Sequence, residues 1–134
     1  MSYLKLYFVS IGVFFIIDMV WLGLIAKNLY TTYLGHLMAP KVNWPAAFIF
    51  YALFIAGLVF FVIEPALEKQ SLSYAVWAGA FFGLICYATY DLTNLATLKD
   101  WPLTITLIDL AWGAVLNSVV AATTFLIANR FFNT

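Results

Sequence analysis

Residues 3–26, YLKLYFVSIGVFFIIDMVWLGLIA, carry two charged side chains: Lys5 near the start and Asp18 deep inside. About 20 apolar residues in helical form span the hydrocarbon core of a bilayer, so this stretch reads as a transmembrane helix. A lone strand would leave backbone N–H and C=O groups unpaired in lipid, which excludes the extended alternative. A cleavable signal peptide needs a basic leader, a short apolar core and a small-residue cleavage site. With only Lys5 ahead of a run that continues to Ala26, a helix that stays in the membrane is expected instead.

Outward from this helix, residues 44–67, 72–95 and 102–132 read the same way. Pro45 and Pro102 fall at helix starts, where a missing N–H costs nothing. Residues 68–71 and 99–102 form short polar turns, and Trp44, Trp101 and several tyrosines fall where an interfacial aromatic belt would lie. The first connection is longer. Its apolar residues Leu29, Tyr30, Tyr33, Leu34, Leu37 and Met38 recur on one helical face, which predicts an amphipathic helix at the membrane surface over about residues 29–39. The alternative is a first spanning helix that runs on past the membrane. The expected fold is an all-α membrane protein of one domain over residues 1–134, with four transmembrane helices in one bundle and a short interfacial helix between the first two.

Whole-chain composition agrees. Of the 134 residues, 66% are hydrophobic and 9% charged, against roughly 25% charged in soluble domains. Mean hydropathy is +1.01. Net charge is zero, so no basic surface is available for nucleic acid; membrane lipids are the expected surroundings. Four spans put both termini on one side. Lys5, Lys69 and Arg130 on that side balance Lys27, Lys41 and Lys99 on the other, so the positive-inside rule does not choose an orientation. Cys86 is the single cysteine and reads as a small apolar side chain rather than a redox group.

Three carboxylates interrupt the spans: Asp18, Asp91 and Asp109. Each is costly in lipid and should face the bundle interior or water. At 1.5 Å per residue, Asp18 lies about 13 Å before Lys27, Asp91 about 12 Å before Lys99, and Asp109 about 12 Å after Trp101. The three therefore share one layer, and Tyr51 on the second helix reaches it as well. Tyr87, Asp91 and Asn94 follow at i, i+4 and i+7 with Tyr90 beside them; Trp21 and Trp112 each follow an acid by three residues, within reach of indole hydrogen bonds. Thr89 and Thr93 are adjacent, and Asn117 lies deeper. No lysine or arginine lies at that depth. Three acids there repel one another, so the layer calls for a proton, a metal ion held by Asp18, Asp91 and Asp109, or a cationic solute. The plainer alternative is that the acids join helices through the Trp, Tyr and Asn donors. The one histidine, His36, reads as a surface residue, and Glu64 before Pro65 as a side chain that snorkels to water. Gly79 and Gly83 allow close helix contact, within the bundle or between copies.

An internal echo is visible. Asp18-Met19-Val20-Trp21-Leu22 aligns with Asp91-Leu92-Thr93-Asn94-Leu95, and Asn43-Trp44-Pro45 with Asp100-Trp101-Pro102. A duplication of this kind would pair two helical hairpins about an axis along the membrane normal.

The run Tyr87-Ala88-Thr89-Tyr90-Asp91-Leu92-Thr93-Asn94-Leu95-Ala96-Thr97-Leu98-Lys99-Asp100-Trp101-Pro102 is distinctive, as is Ile108-Asp109-Leu110-Ala111-Trp112-Gly113. With Asp18-x-x-Trp21-Leu22-Gly23 and Glu64-Pro65-Ala66-Leu67, they make nearly the whole chain resemble a bacterial family of small predicted membrane proteins known only as a domain of unknown function. The resemblance implies four spans in the bacterial inner membrane and brings no activity or cofactor.

Three functions fit these residues. In the first, the acids bind or move a proton, a cation or a small cationic solute, with Tyr51, Tyr87, Tyr90, Asn94, Trp21 and Trp112 as the shell. Four short helices enclose little room, so a transport path would need a homodimer or larger assembly. In the second, an enzyme acts on a lipid through the same acids, which predicts a dead-end pocket open sideways to the bilayer. In the third, the acids only assemble helices.

Overall fold

Each break between helices has its own chemistry. A computed structural model describes residues 3–132. It runs α1 (Tyr3–Ile25), α2 (Leu29–Leu34, continued by a 3-10 turn Gly35–Leu37), α3 (Trp44–Glu68), α4 (Leu72–Thr97) and α5 (Leu103–Phe132). The Asn43 side chain caps α3 by accepting the Ala46 N–H at 3.2 Å, with Pro45 in the first turn. Ser71 caps α4 by accepting the Tyr74 N–H at 3.0 Å. The two short links between spanning helices each use a left-handed residue, Gln70 (φ 50°) before α4 and Asp100 (φ 62°) before α5. Among the described residues there is no strand. Helices α1, α3, α4 and α5 are long and apolar enough to cross a membrane, with mean hydropathies of 2.4, 2.7, 1.4 and 1.8.

Three of these helices contain one π turn each: Trp21–Ile25 in α1, Val59–Ile63 in α3 and Ala128–Phe132 at the end of α5. In α3 the cause is local. Pro65 has no N–H and its ring crowds the carbonyl four residues back, so the turn before it widens. The helix continues with its next residues, Ala66 and Leu67, turned inward. Glu64, beside the proline, is half-buried, and its Oε2 is buried without a hydrogen-bond partner.

The bundle is filled unevenly. Its half nearer the termini is packed by Leu6, Phe14, Ile55, Leu58, Ile63, Leu116, Val120 and Phe125, all buried. In the other half, α3 from Trp44 to Leu53 is mostly exposed, and its ring contacts with α4 begin at Phe54, which stacks on Phe82 (5.7 Å, 17°). The two helices therefore meet in one half of the bundle and part in the other.

Helices α4 and α5 form the closest pair, along a seam of glycines. A Cβ on Gly79 would lie 2.8 Å from the Asn117 carbonyl oxygen and 3.0 Å from Ala121 Cβ. A Cβ on Gly83 would collide with the Gly113 carbonyl oxygen and come within 2.6 Å of Asn117 Nδ2. Gly113 in turn accepts the Tyr87 ring against its backbone. The Gly79–Gly83 face is therefore spent inside the chain. Asn117 is fully buried there and donates to the Gly113 carbonyl oxygen at 2.8 Å.

The loop end is closed differently. Leu34 of α2 packs with Trp101 and Ile105, flanked by Tyr30, Tyr33 and Leu95. Trp101 is buried and donates its indole N–H to Thr106 Oγ1 at 3.0 Å, so it anchors the α2 contact instead of standing in an aromatic belt; Trp44 is exposed. Thus α2 lies across the loop ends of α4 and α5.

The seam gives a paired test. Gly83→Ala should destabilise the protein in detergent by about 2 kcal/mol or more, since the added methyl forces two backbones apart. Gly12→Ala, where a Cβ meets nothing within 4 Å, should be neutral or slightly stabilising. Thermal unfolding of the two variants side by side checks this; equal midpoints would remove the seam as a determinant of the fold.

Candidate functional site

Asp18 lies at the last α-turn of α1, one turn before the π turn, and Asp109 two turns into α5. They are 6% exposed each, and Asp91 is 0% exposed. All three point into the bundle. Asp18 and Asp109 open onto a cavity of about 360 Å³ that is lined also by Trp21, Leu22, Tyr30, Phe50, Tyr51, Cys86, Tyr87, Tyr90 and Trp112. The cavity wall has contributions from every spanning helix and from α2.

Within it the side chains are ordered by hydrogen bonds and stacking. The Tyr30 hydroxyl donates to Asp109 Oδ1 at 2.6 Å and accepts the Trp21 indole N–H at 3.1 Å. Trp21 and Trp112 stack face to face, 4.3 Å apart with planes 11° off parallel. The Trp112 indole N–H lies beside the Asp18 carboxyl but has no hydrogen bond of good geometry. Tyr51, held edge-on by Phe14 (5.7 Å) and Phe15 (5.3 Å), faces Asp18. Tyr87 lies close to both Asp18 and Asp109.

Asp91 stands behind this wall. Its carboxyl adjoins that of Asp109, yet both its oxygens are buried with no hydrogen-bond partner. A buried carboxyl group without a donor is costly, and the acid beside it offers no relief. Among the described residues, no three His, Cys, Asp or Glu side chains are placed to hold a metal ion together. The three acids share a layer but not a coordination sphere.

Residues 3–126 match the family described as "Predicted membrane protein (DUF2177)". The chain belongs to that family. No curated protein and no solved structure matches it. Family and fold together make this a multi-pass membrane protein with buried aspartates.

For this family member, the sequence reading of the site and the structure differ in particulars. Asn94 is half-buried beside Tyr90 and does not line the cavity. It sits one turn nearer the loops, past the cavity's edge. Thr89 is exposed and turns its hydroxyl back to the Ile85 carbonyl oxygen of its own helix at 2.7 Å. His36 is exposed in the 3-10 turn. Trp21 does not bond the acid on its own helix; the π turn beginning there aims its N–H at Tyr30.

The residue that sequence reasoning missed is Tyr30. It counted only as apolar face of α2, yet it brings the one hydroxyl that bonds an acid of the layer. A clue was present: Tyr30 lies on the same α2 face as Leu34, and that face had to cover something. Burial first, and then the hydrogen bond to Asp109, hold the Tyr30 hydroxyl above its ordinary pKa, so it remains a donor at neutral pH.

Tyr30→Phe should lower stability by about 1–3 kcal/mol, because it leaves both the Trp21 N–H and the Asp109 carboxyl short of a partner. Hydrogen–deuterium exchange of residues 29–37 should speed up selectively. Unchanged exchange in this segment would mean that packing on Trp101 alone holds α2.

Proposed function

We propose that this protein, in the bacterial inner membrane, binds a small organic cation in the cavity between Asp18 and Asp109. One observation carries the reading: two buried carboxyl groups and seven aromatic side chains line a single cavity into which no lysine or arginine projects. An aromatic wall suits a cation on its own, since each ring face attracts positive charge by about 0.5–2 kcal/mol when water is excluded. The carboxylates of Asp18 and Asp109 supply the counter-charge. A bare metal ion fits less well, because too few oxygen ligands converge. Binding is the step that the geometry supports. Movement across the membrane would need the packed half of the bundle to open, or a second copy to complete a path.

A second reading is favoured by the closed floor of the cavity. Tyr51, Cys86, Tyr87 and Trp112 line the cavity and also pack on the apolar core, so it ends blindly. A blind pocket with a carboxyl pair and a phenol suits acid–base chemistry on a lipid. The two readings part on turnover, since a binding protein returns its ligand unchanged.

The test uses tetramethylammonium chloride titrated into protein in neutral detergent, read by tryptophan fluorescence, because Trp21 and Trp112 line the site. Saturable quenching is expected. Asp18→Asn and Asp109→Asn should each weaken binding at least tenfold (about 1.4 kcal/mol), with sodium chloride as the ionic-strength control. Folded wild-type protein that gives no response beyond that of sodium would refute the reading.

A further inference from the structure

The cavity has a roof, a floor and one open side. On the loop side, α2 covers it: Tyr30 is bonded to Asp109 and Trp21, and Leu34 is seated against Trp101 and Ile105. Toward the termini the core closes it, through Phe14, Phe54 and Leu116. The rim is made by Leu22, Phe50 and Tyr90, which are 39%, 53% and 57% exposed. Phe50 and Tyr90 sit at the depth of the acid layer and Leu22 one turn nearer the loops; all three belong to spanning helices, so their exposed surfaces face acyl chains. The opening follows from the fold, because α3 meets α4 at Phe54 and parts from it toward Trp44.

Access is therefore from the bilayer. A fully hydrated ion would have to enter through hydrocarbon, which is costly; a cation attached to an alkyl chain is already there. Size agrees. At about 360 Å³ the cavity is near the low end of small-molecule pockets, roughly 300–1,000 Å³. It has room for a head group and the first few carbons, and the rest of a chain would pass out between the exposed edges of Phe50 and Tyr90. Charge narrows the class further. A phosphate or carboxylate head would meet Asp18 and Asp109 with no lysine or arginine in the lining to offset them.

Resting on the cation reading above, we infer that the ligand is a single-chain amphiphile with a cationic head, an alkylamine or alkylammonium, which enters sideways from one leaflet between α3 and α4. The head sits between Asp18 and Asp109 against the Trp21–Trp112 stack, and the chain lies along the exposed face of α3.

The experiment compares three probes on the protein in neutral dodecyl maltoside: tetramethylammonium, dodecyltrimethylammonium and dodecyl phosphate. A fourth, dodecyltrimethylammonium with a diazirine in its chain, maps contacts by photo-labelling and mass spectrometry. We expect dodecyltrimethylammonium to bind at least tenfold more tightly than tetramethylammonium. We expect dodecyl phosphate not to compete, and labelling to concentrate on peptides holding Phe50 and Tyr90, with loss in an Asp18→Asn, Asp109→Asn double variant that still unfolds cooperatively. If the long and short cations bind alike, or if label spreads evenly over all lipid-facing helices, sideways entry is overturned and the cation site stands. If dodecyl phosphate competes as well as the cation does, charge selection is overturned. If neither cation binds, the failure lies in the cation reading itself.

Discussion

A carboxyl group inside a membrane helix must turn into the bundle, because lipid offers it no partner, and three such groups orient this one. Asp18, Asp91 and Asp109 come from α1, α4 and α5, and each helix must present one face inward at the same depth to bury them. That demand explains the uneven packing. The half of the bundle without acids is filled by aliphatic and phenylalanine side chains. The half with acids keeps a cavity walled by rings that carry a polar edge: Trp21, Tyr30, Tyr51, Tyr87 and Trp112. Aromatic residues of this kind are a compromise between solvents, since they pack as hydrocarbons while offering an N–H or O–H where one is needed.

The glycine seam serves the same end. With Gly79, Gly83 and Gly113 at the crossing, α4 and α5 approach backbone to backbone, and Tyr87 lies flat on α5. This contact sets Asp91 beside Asp109 and brings Tyr87 close to both Asp109 and Asp18. Helix contact in lipid gains little from hydrophobicity, so van der Waals fit along small residues carries much of the pairing. Fit at the seam and composition of the cavity wall are thus two results of one geometry.

Much of this was legible in the sequence. Hydropathy marked the spanning helices, and counting residues from Lys27, Lys99 and Trp101 placed the three acids at a common depth, because helical rise is nearly constant. What counting could not supply was direction. Trp21 follows Asp18 by three residues, but the π turn beginning there sends its indole to Tyr30. Trp101 had the position of a belt residue and is buried, because α2 folds back over it. Leu22, Phe50 and Cys86 are apolar and carry no signal in a chain that is apolar throughout; only the parting of α3 from α4 makes them cavity wall. Asn94 shares a helical stripe with Asp91 yet lies past the cavity's edge, since a stripe has no end that a sequence can mark.

The widened turn at Trp21–Ile25 has a bearing on how such a site can change over time. Its hydrogen bonds reach five residues where an α-turn reaches four, so it holds one residue more than the helix around it. Loss of a single residue between Leu22 and Ile25 could be absorbed by a return to regular winding, with no break in the span. The wide turn sweeps, with its extra residue, about the angle that a regular turn sweeps without it, so the chain beyond would leave the membrane on nearly the same side and still carry its phenol over Asp109. A one-codon deletion here would thus spare both insertion and the cavity's ceiling.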